Sequence, residues 1–272
     1  MRLRLRLLDT IVEIHTEDAT AGRLVSVLWS AMETGDAGEP ARVYELTRSA
    51  GGWTATAGDD VEAVHADLWG VTDALRYRML ELCEERIERY VTLHAAAVAR
   101  DGHLVLLAGR SGAGKTTLTL ALLDAGWTYL SDDLAPVSTE TGLVHPFPKP
   151  LGVKDPAVWE SVSTAFPEDL RSPPPAGSFL VPPALWEVAA TPLAPSALLF
   201  PEFVRGASVE VDRLTPARGA AAASAYLRRL DPTTLGVVNR LCAGAESASV
   251  RYGSSEAALQ AVEAVLDDVR TQ

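Results

Sequence analysis

Hydrophobic and polar residues alternate strictly from Arg2 to Leu7, the two-residue period of a half-buried strand. From Ala21 to Met32 the apolar positions change to helical spacing, and Gly35 stops the run. Arg42 to Thr47 and Trp53 to Thr56 return to the strand signature on either side of Ala50-Gly51-Gly52, which predicts a hairpin. Asp59 to Glu88 predicts one or two helices, interrupted or bent near Gly70. Residues 1–90 therefore predict a small α+β domain, and no recognisable chemistry lies within it.

The pattern sharpens after that. His94 to Arg100 and His103 to Ala108 are short apolar strands around Asp101-Gly102, a dipeptide favoured in two-residue hairpin turns. That turn sets Arg100 opposite His103 and, counting inward, His94 opposite Gly109. Leu118, Leu122 and Ala125 then share one helical face, with Gly126 placed to end the helix. Pro173-Pro174-Pro175 and Pro182-Pro183 exclude regular helix and predict an extended surface passage. The last third predicts a strand at Ala197 to Phe200, helices at Pro216 to Arg229 and Pro232 to Leu241, and a strand at Ser249 to Tyr252. A closing helix follows from Glu256, capped by Ser254 or Ser255. Residues 91–272 thus read as a second, α/β domain.

A chain of 272 residues, 47% hydrophobic and 22% charged, holds a full core and lacks the signature of disorder. Its formal net charge of −12 argues against general affinity for nucleic acid, which depends on Lys and Arg displacing counterions. Any anion must be caught locally. Cys83 and Cys242 are far apart with no metal-ligand cluster near them, as expected of reduced thiols in the cytoplasm. No apolar run approaches the ~18 residues of a membrane span, and MRLRLRLLDT has no apolar signal core, so a cytoplasmic location without membrane contact is expected.

The local catch is GRSGAGKT, Gly109 to Thr116, which satisfies GxxxxGK[ST] between an apolar strand and an amphipathic helix. Gly109, Arg110, Ser111, Gly112, Ala113, Gly114, Lys115, Thr116 and the adjoining Thr117 form the expected cradle for the phosphates of ATP. Lys115 reaches the β and γ phosphates, and the Thr116 hydroxyl is offered to Mg²⁺. Seventeen residues after that lysine, LSDDLAPV puts Asp132 and Asp133 where a strand ends, the place where ligands sit in α/β sheets. Adjacent carboxylates in a partly enclosed spot need a cation or hydrogen-bond donors to offset them. Mg²⁺ supplies one such partner, and a substrate hydroxyl or His94 another.

From His94 onward the chain resembles the HPr kinase/phosphorylase family and its shorter HPr-kinase-like relatives. HAAAV with His94, GRSGAGKT with Lys115, LSDDLAPV with Asp132 and Asp133, and then HPFPKPLGVK carry the likeness, in that order. The resemblance implies an α/β fold with a P-loop kinase core of the HPr kinase/phosphoenolpyruvate carboxykinase type. It implies transfer of the ATP γ-phosphate to a serine hydroxyl, with Asp132 as the base and His94 as its partner. Lys115 and Thr116 become phosphate and metal ligands, and Asp133 a metal or hydrogen-bond helper. Where the bifunctional members carry a metal-binding glutamate and an arginine, PFPKPLGVK places Phe147 and Lys149, which thins the metal site and questions the reverse, phosphorylase activity. Lys149 is expected either to neutralise the transferring group or to be a solvated loop lysine. The family's rings of subunits add a homo-oligomer to the expectations.

The expected function is an ATP-dependent hydroxyl kinase acting on a serine of a peptide or protein, a biosynthetic precursor peptide among them. The acidic chain suits a basic or neutral acceptor better than an acidic one. A small hydroxylated metabolite is the alternative acceptor, and residues 1–90 are expected to recognise the substrate. A regulatory nucleotide-binding module with little turnover is the alternative from another class. It needs the loop but not a proton acceptor beside it, so His94 together with Asp132 favours the enzyme. A motor or transport ATPase would need coupling motifs that are not seen.

Overall fold

Leu3, Leu5 and Leu7 are buried while Arg2 and Arg6 are exposed, so the opening alternation becomes strand β1 (Arg2–Leu7). The structure is a computed structural model that describes residues 1–171 and 178–270. β2 (Thr10–His15) pairs antiparallel with β1, and buried Glu13 explains the arginines opposite it. The Arg2 guanidinium first, then Arg4 and His15, hold the Glu13 carboxyl down to about 2, against the opposing effect of its burial.

Helix α1 (Ala19–Trp29) starts two residues ahead of expectation, because the Asp18 carboxylate caps the N–H groups of Thr20 and Ala21 at 2.9 Å. It passes into a 3-10 turn at Ser30–Met32. β3 (Arg42–Ser49) returns parallel to β2, and β4 (Gly52–Ala57) and β5 (Asp60–His65) complete a five-stranded sheet in the order β1-β2-β3-β4-β5. The expected helix over 59–67 is therefore a strand. Helix α2 (Leu68–Arg86) begins only after the cap at Asp67 and runs through Gly70 without a break. Gly70 is needed for a close approach: a Cβ there would lie 1.9 Å from His65 Nδ1.

The chain then starts its other unit. β6 (Tyr90–Leu93), β7 (Ala95–Arg100), β8 (His103–Ala108), α3 (Lys115–Asp124), β9 (Thr128–Ser131) and β10 (Ala135–Ser138) follow in order. β7 and β8 pair in the expected register, Arg100 facing His103, across a turn with Asp101 at φ 53° and Gly102 at φ 80°. Helix α3 ends at Gly126 as expected. The Gly126 N–H reaches Leu123 O and the Trp127 N–H reaches Leu122 O, the paired bonds of a left-handed helix stop. Leu118 and Leu122 are buried, but Ala125 is exposed at the C-cap instead of on their face.

From Lys149 the chain rejoins the first unit. β11 (Leu151–Val153) pairs with β12 (Phe179–Val181), and α4 (Ala157–Val162) brings Trp159 between Phe166, Phe179 and the Trp69 ring of α2, at centroid distances of 5.2–5.3 Å. The two units are Met1–Ile87 with Lys149–Leu185, and Glu88–Pro148 with Trp186–Gln272, instead of 1–90 and 91–272. Pro173-Pro174-Pro175 lie outside the described residues, and Pro183–Leu185 is a 3-10 turn.

The second unit finishes with β13 (Pro195–Phe203), β14 (Glu210–Leu214), α5 (Pro216–Ser224), α6 (Pro232–Gly244), β15 (Glu246–Tyr252) and α7 (Ser255–Arg270). Its sheet has the order β14-β15-β13-β8-β7-β9, in which β8, β13, β15 and β9 share one direction and β7 and β14 run the other way. The fold is mixed α/β. Alternate residues of β7 and β8, such as Ala97 and Leu106, form one buried face with Ala223 of α5 and Val237 and Leu241 of α6. The other alternates, Val98, Val105 and Leu107, are equally buried, on the face where α3 and α7 pack. Ser254 Oγ accepts from the Ala257 N–H and caps α7. Among the described residues no helix is long and apolar enough to cross a membrane.

Candidate functional site

Strand direction gathers the site. β8 runs into the loop at Gly109, and β7 and β9 run so that the start of one and the end of the other meet at that same sheet edge. His94 immediately precedes β7, and Asp132 immediately follows β9. β6 continues the chain before β7, and β10 the chain after β9. Leu93 faces Ala135 and Ala97 faces Ser131, one register kept on both sides of the joint. His94 therefore lies opposite the Asp132–Leu134 turn by construction.

The loop closes on itself through the Ala113 N–H to Arg110 O bond at 3.1 Å. Gly112 and Gly114 have φ of 85° and 91°, and Gly114 is the residue from which α3 starts. The first N–H groups of a helix have no carbonyl one turn back, so α3 presents them to the loop as an anion site. Gly109 is buried; Arg110, Ser111, Gly112 and Thr117 are exposed; Ala113, Gly114 and Thr116 are half-buried. Lys115 is 5% exposed, and its ammonium donates to Gly109 O at 2.7 Å and lies 3.4 Å from Arg110 O.

The third neighbour of that ammonium is His94. Nε2 lies 3.2 Å from Lys115 Nζ, and Nδ1 lies 3.1 Å from Asp133 O and 4.0 Å from Asp133 Oδ1. An ammonium only donates, so Nε2 accepts and Nδ1 carries the proton, donating it to the carbonyl. Burial first, and the Lys115 charge second, keep the imidazole below its ordinary pKa, with Asp133 opposing both. His94 was expected to partner Asp132; its ring instead links Lys115 to Asp133. The reason is the turn itself. Leu134 N–H bonds back to Asp132 O at 2.8 Å around Asp133, whose φ is 60°, and this tight positive-φ turn presents the Asp133 carbonyl to the ring. Ser131 Oγ donates to Leu134 O and closes the turn.

The two carboxylates thus part company. Asp132 is 0% exposed, and the Asp133 side chain is 32% exposed. Such backbone strain in a non-glycine residue is concentrated at functional sites. Phe147 is core, 1% exposed, with its N–H on Leu130 O of β9 at 2.8 Å. Lys149 belongs to the first unit and is 1% exposed, which rules out a solvated loop lysine. Sequence reasoning missed two aromatic residues at this edge, Phe203 and Tyr252. The Phe203 N–H donates to Ala113 O at 3.2 Å, and the Tyr252 hydroxyl to Gly114 O at 3.3 Å. Their signal was available, since each ends a strand running parallel to the one that enters the loop.

The donor set suits Mg²⁺ better than a metal caged wholly by protein. Among the described residues no group of three or more His, Cys, Asp or Glu could hold a metal. A hydroxyl at Thr116 and an accessible carboxylate at Asp133 match an ion that keeps waters and binds through one or two protein oxygens plus phosphate. No family model matches this chain, and no curated protein matches it. Among solved structures it is similar to the HPr(Ser) kinase/phosphatase from Coxiella burnetii, at 16% identity and a TM-score of 0.35, over 66% of this chain and 96% of that one. A likeness that distant decides nothing about chemistry, which is carried instead by the placement of His94, Lys115, Asp132 and Asp133 at one sheet edge.

Proposed function

We propose that the unit bearing the loop is an HPr-kinase-like phosphotransferase, which binds ATP with Mg²⁺ and transfers the γ-phosphoryl group to an aliphatic hydroxyl. The acceptor is a serine of a peptide or protein, such as a biosynthetic precursor peptide, with a small hydroxylated metabolite as the alternative. One observation carries the reading: His94 bridges the loop lysine and the acidic turn, at 3.2 Å and 3.1 Å. A loop that only bound nucleotide would need no such bridge.

Phosphoryl transfer depends on positioning and charge neutralisation. The Gly109–Thr117 backbone and the start of α3 hold the triphosphate. Lys115 leaves Gly109 O for a phosphate oxygen and neutralises charge on the moving group. Neutral His94 anchors the ammonium and the Asp133 carbonyl together, which fixes the distance from cradle to acidic turn. Asp132 orients the incoming hydroxyl and accepts its proton. Thr116 and Asp133 would hold Mg²⁺, which, when bound, offsets phosphate charge.

The complete burial of Asp132 favours a second reading, a nucleotide-responsive regulatory module, because a base must meet its acceptor. Labelled ATP with Mg²⁺ and candidate hydroxyl acceptors separates the two. Asp132→Asn is expected to retain nucleotide binding and to lose about 10²–10⁴-fold in single-turnover transfer. Lys115→Ala is expected to weaken both. Transfer by Asp132→Asn at the parent rate would remove Asp132 as the base. Label released only as free phosphate, slowly, would favour the module.

A further inference from the structure

The sheet edge holds two rings that phosphoryl transfer does not use. Phe203 ends β13 and Tyr252 ends β15, with ring centroids 5.8 Å apart. Both strands run parallel to β8, so both rings emerge where the loop begins. In the strand order β13 and β15 lie on one side of β8, whereas β7 and β9, with His94 and the acidic turn, lie on the other. The rings differ in exposure. Tyr252 is 2% exposed and Phe203 44%, so one supports the loop from below while the other leaves a face open to solvent.

A triphosphate lying in this loop has a defined direction. Its terminal phosphoryl group points to Lys115, His94 and the Asp132–Leu134 turn, on the β7 and β9 side. The α-phosphate and the nucleoside therefore leave on the β13 and β15 side, where Phe203 stands. We infer that Phe203 is the stacking platform of the nucleobase and that Tyr252 is the positioning residue that holds platform and loop in one frame. The inference rests on the reading of Gly109–Thr116 as a triphosphate cradle. The chain beyond the platform is tied down too, the Val204 N–H donating to Tyr252 O at 2.9 Å and the Ala207 N–H to Val204 O at 2.9 Å. Every base has a π face, so a bare ring accepts adenine and guanine alike and selects nucleotides over inorganic polyphosphate.

Phe203 holds the loop through its main-chain N–H and meets Gly114 at its Cβ, both of which an alanine retains. Calorimetric titration of the parent chain, Phe203→Ala, Phe203→Trp and Lys115→Ala with ATP, GTP and inorganic tripolyphosphate, each with Mg²⁺, tests the inference. Phe203→Ala is expected to weaken ATP and GTP by about 5- to 150-fold and to leave tripolyphosphate unchanged, and Phe203→Trp to restore nucleotide affinity. Unchanged ATP affinity in Phe203→Ala, or equal losses for ATP and tripolyphosphate, would overturn the platform. In either case, loss of all three ligands in Lys115→Ala would leave the cradle standing. A parent chain that binds none of the three overturns cradle and platform together.

Discussion

His94 accepts from an ammonium with one nitrogen and donates to a carbonyl with the other, an arrangement open only to the neutral ring. Its pKa is lowered from 6.5 in the folded chain, first by burial and then by Lys115. Between the lowered value and 6.5 the unfolded chain binds the additional proton, so stability rises with pH across that window and is lost as pH falls through it. NMR titration of the His94 ring is expected to give a pKa below 6.5 in the parent. Lys115→Met is expected to raise it without reaching 6.5, because burial is the larger cause. No movement in that variant would dissociate His94 from the lysine. At this scale His94 was legible because Asp101-Gly102 fixes the hairpin register, and the placement beside Gly109 follows from it. Its partner was not legible. A one-residue turn at Asp133 decides whether the ring meets the first or the second aspartate, and sequence spacing does not encode φ.

Among elements, the strand–loop–helix around Gly109–Thr116 was the most legible, because its signals are local: an apolar strand, glycines, a helix and Gly126. Gly114 is its most constrained position. It has φ 91°, and a Cβ would lie 2.5 Å from the Tyr252 hydroxyl and 3.0 Å from Phe203 Cβ. Gly114→Ala is expected to cost about 1–3 kcal/mol by overpacking, read from the denaturant midpoint, and to weaken tripolyphosphate binding. Adding Tyr252→Phe to that variant removes the nearest atom and is expected to recover part of both. Full activity in Gly114→Ala alone would contradict the described loop. The strands missed or misread lacked clean patterns. In β2 the adjacent Ile11 and Val12 break strict alternation, and β5 is an edge strand with Val61 and Val64 largely exposed. Pro201 reads as the end of β13, yet the strand continues to Phe203. It does so where the pairing with β8 has ended at Leu199, so on that side the missing N–H costs no ladder bond.

At the scale of the molecule, the sequence reading separated an N-terminal part from a loop-bearing part but not their interleaving. Segment 149–185 belongs to the first unit through the Trp159, Phe166 and Phe179 contacts around Trp69 and through the pairing of β11 with β12. No local period reports such contacts, which join residues ninety positions apart. A fragment of residues 1–90 is therefore expected to bind a hydrophobic dye and to melt without a sharp transition by circular dichroism. Trp159→Ala in the intact chain is expected to destabilise the first unit by about 3–5 kcal/mol, seen as faster hydrogen exchange in α2. Cooperative melting of the fragment at the temperature of the intact chain would show that residues 149–185 are dispensable.

The interleaving also governs how the protein is made. A ribosome releases Ile87 with the sheet β1–β5 and helix α2 complete, but with the aromatic partners of Trp69 still unwritten. At about 5–20 residues per second, Leu185 follows about 5–20 s later. During that interval the nascent chain carries Trp69 without its ring partners while the glycine-rich loop emerges behind it, so chaperone capture of translation intermediates should peak between those two lengths and fall once Leu185 has cleared the exit tunnel.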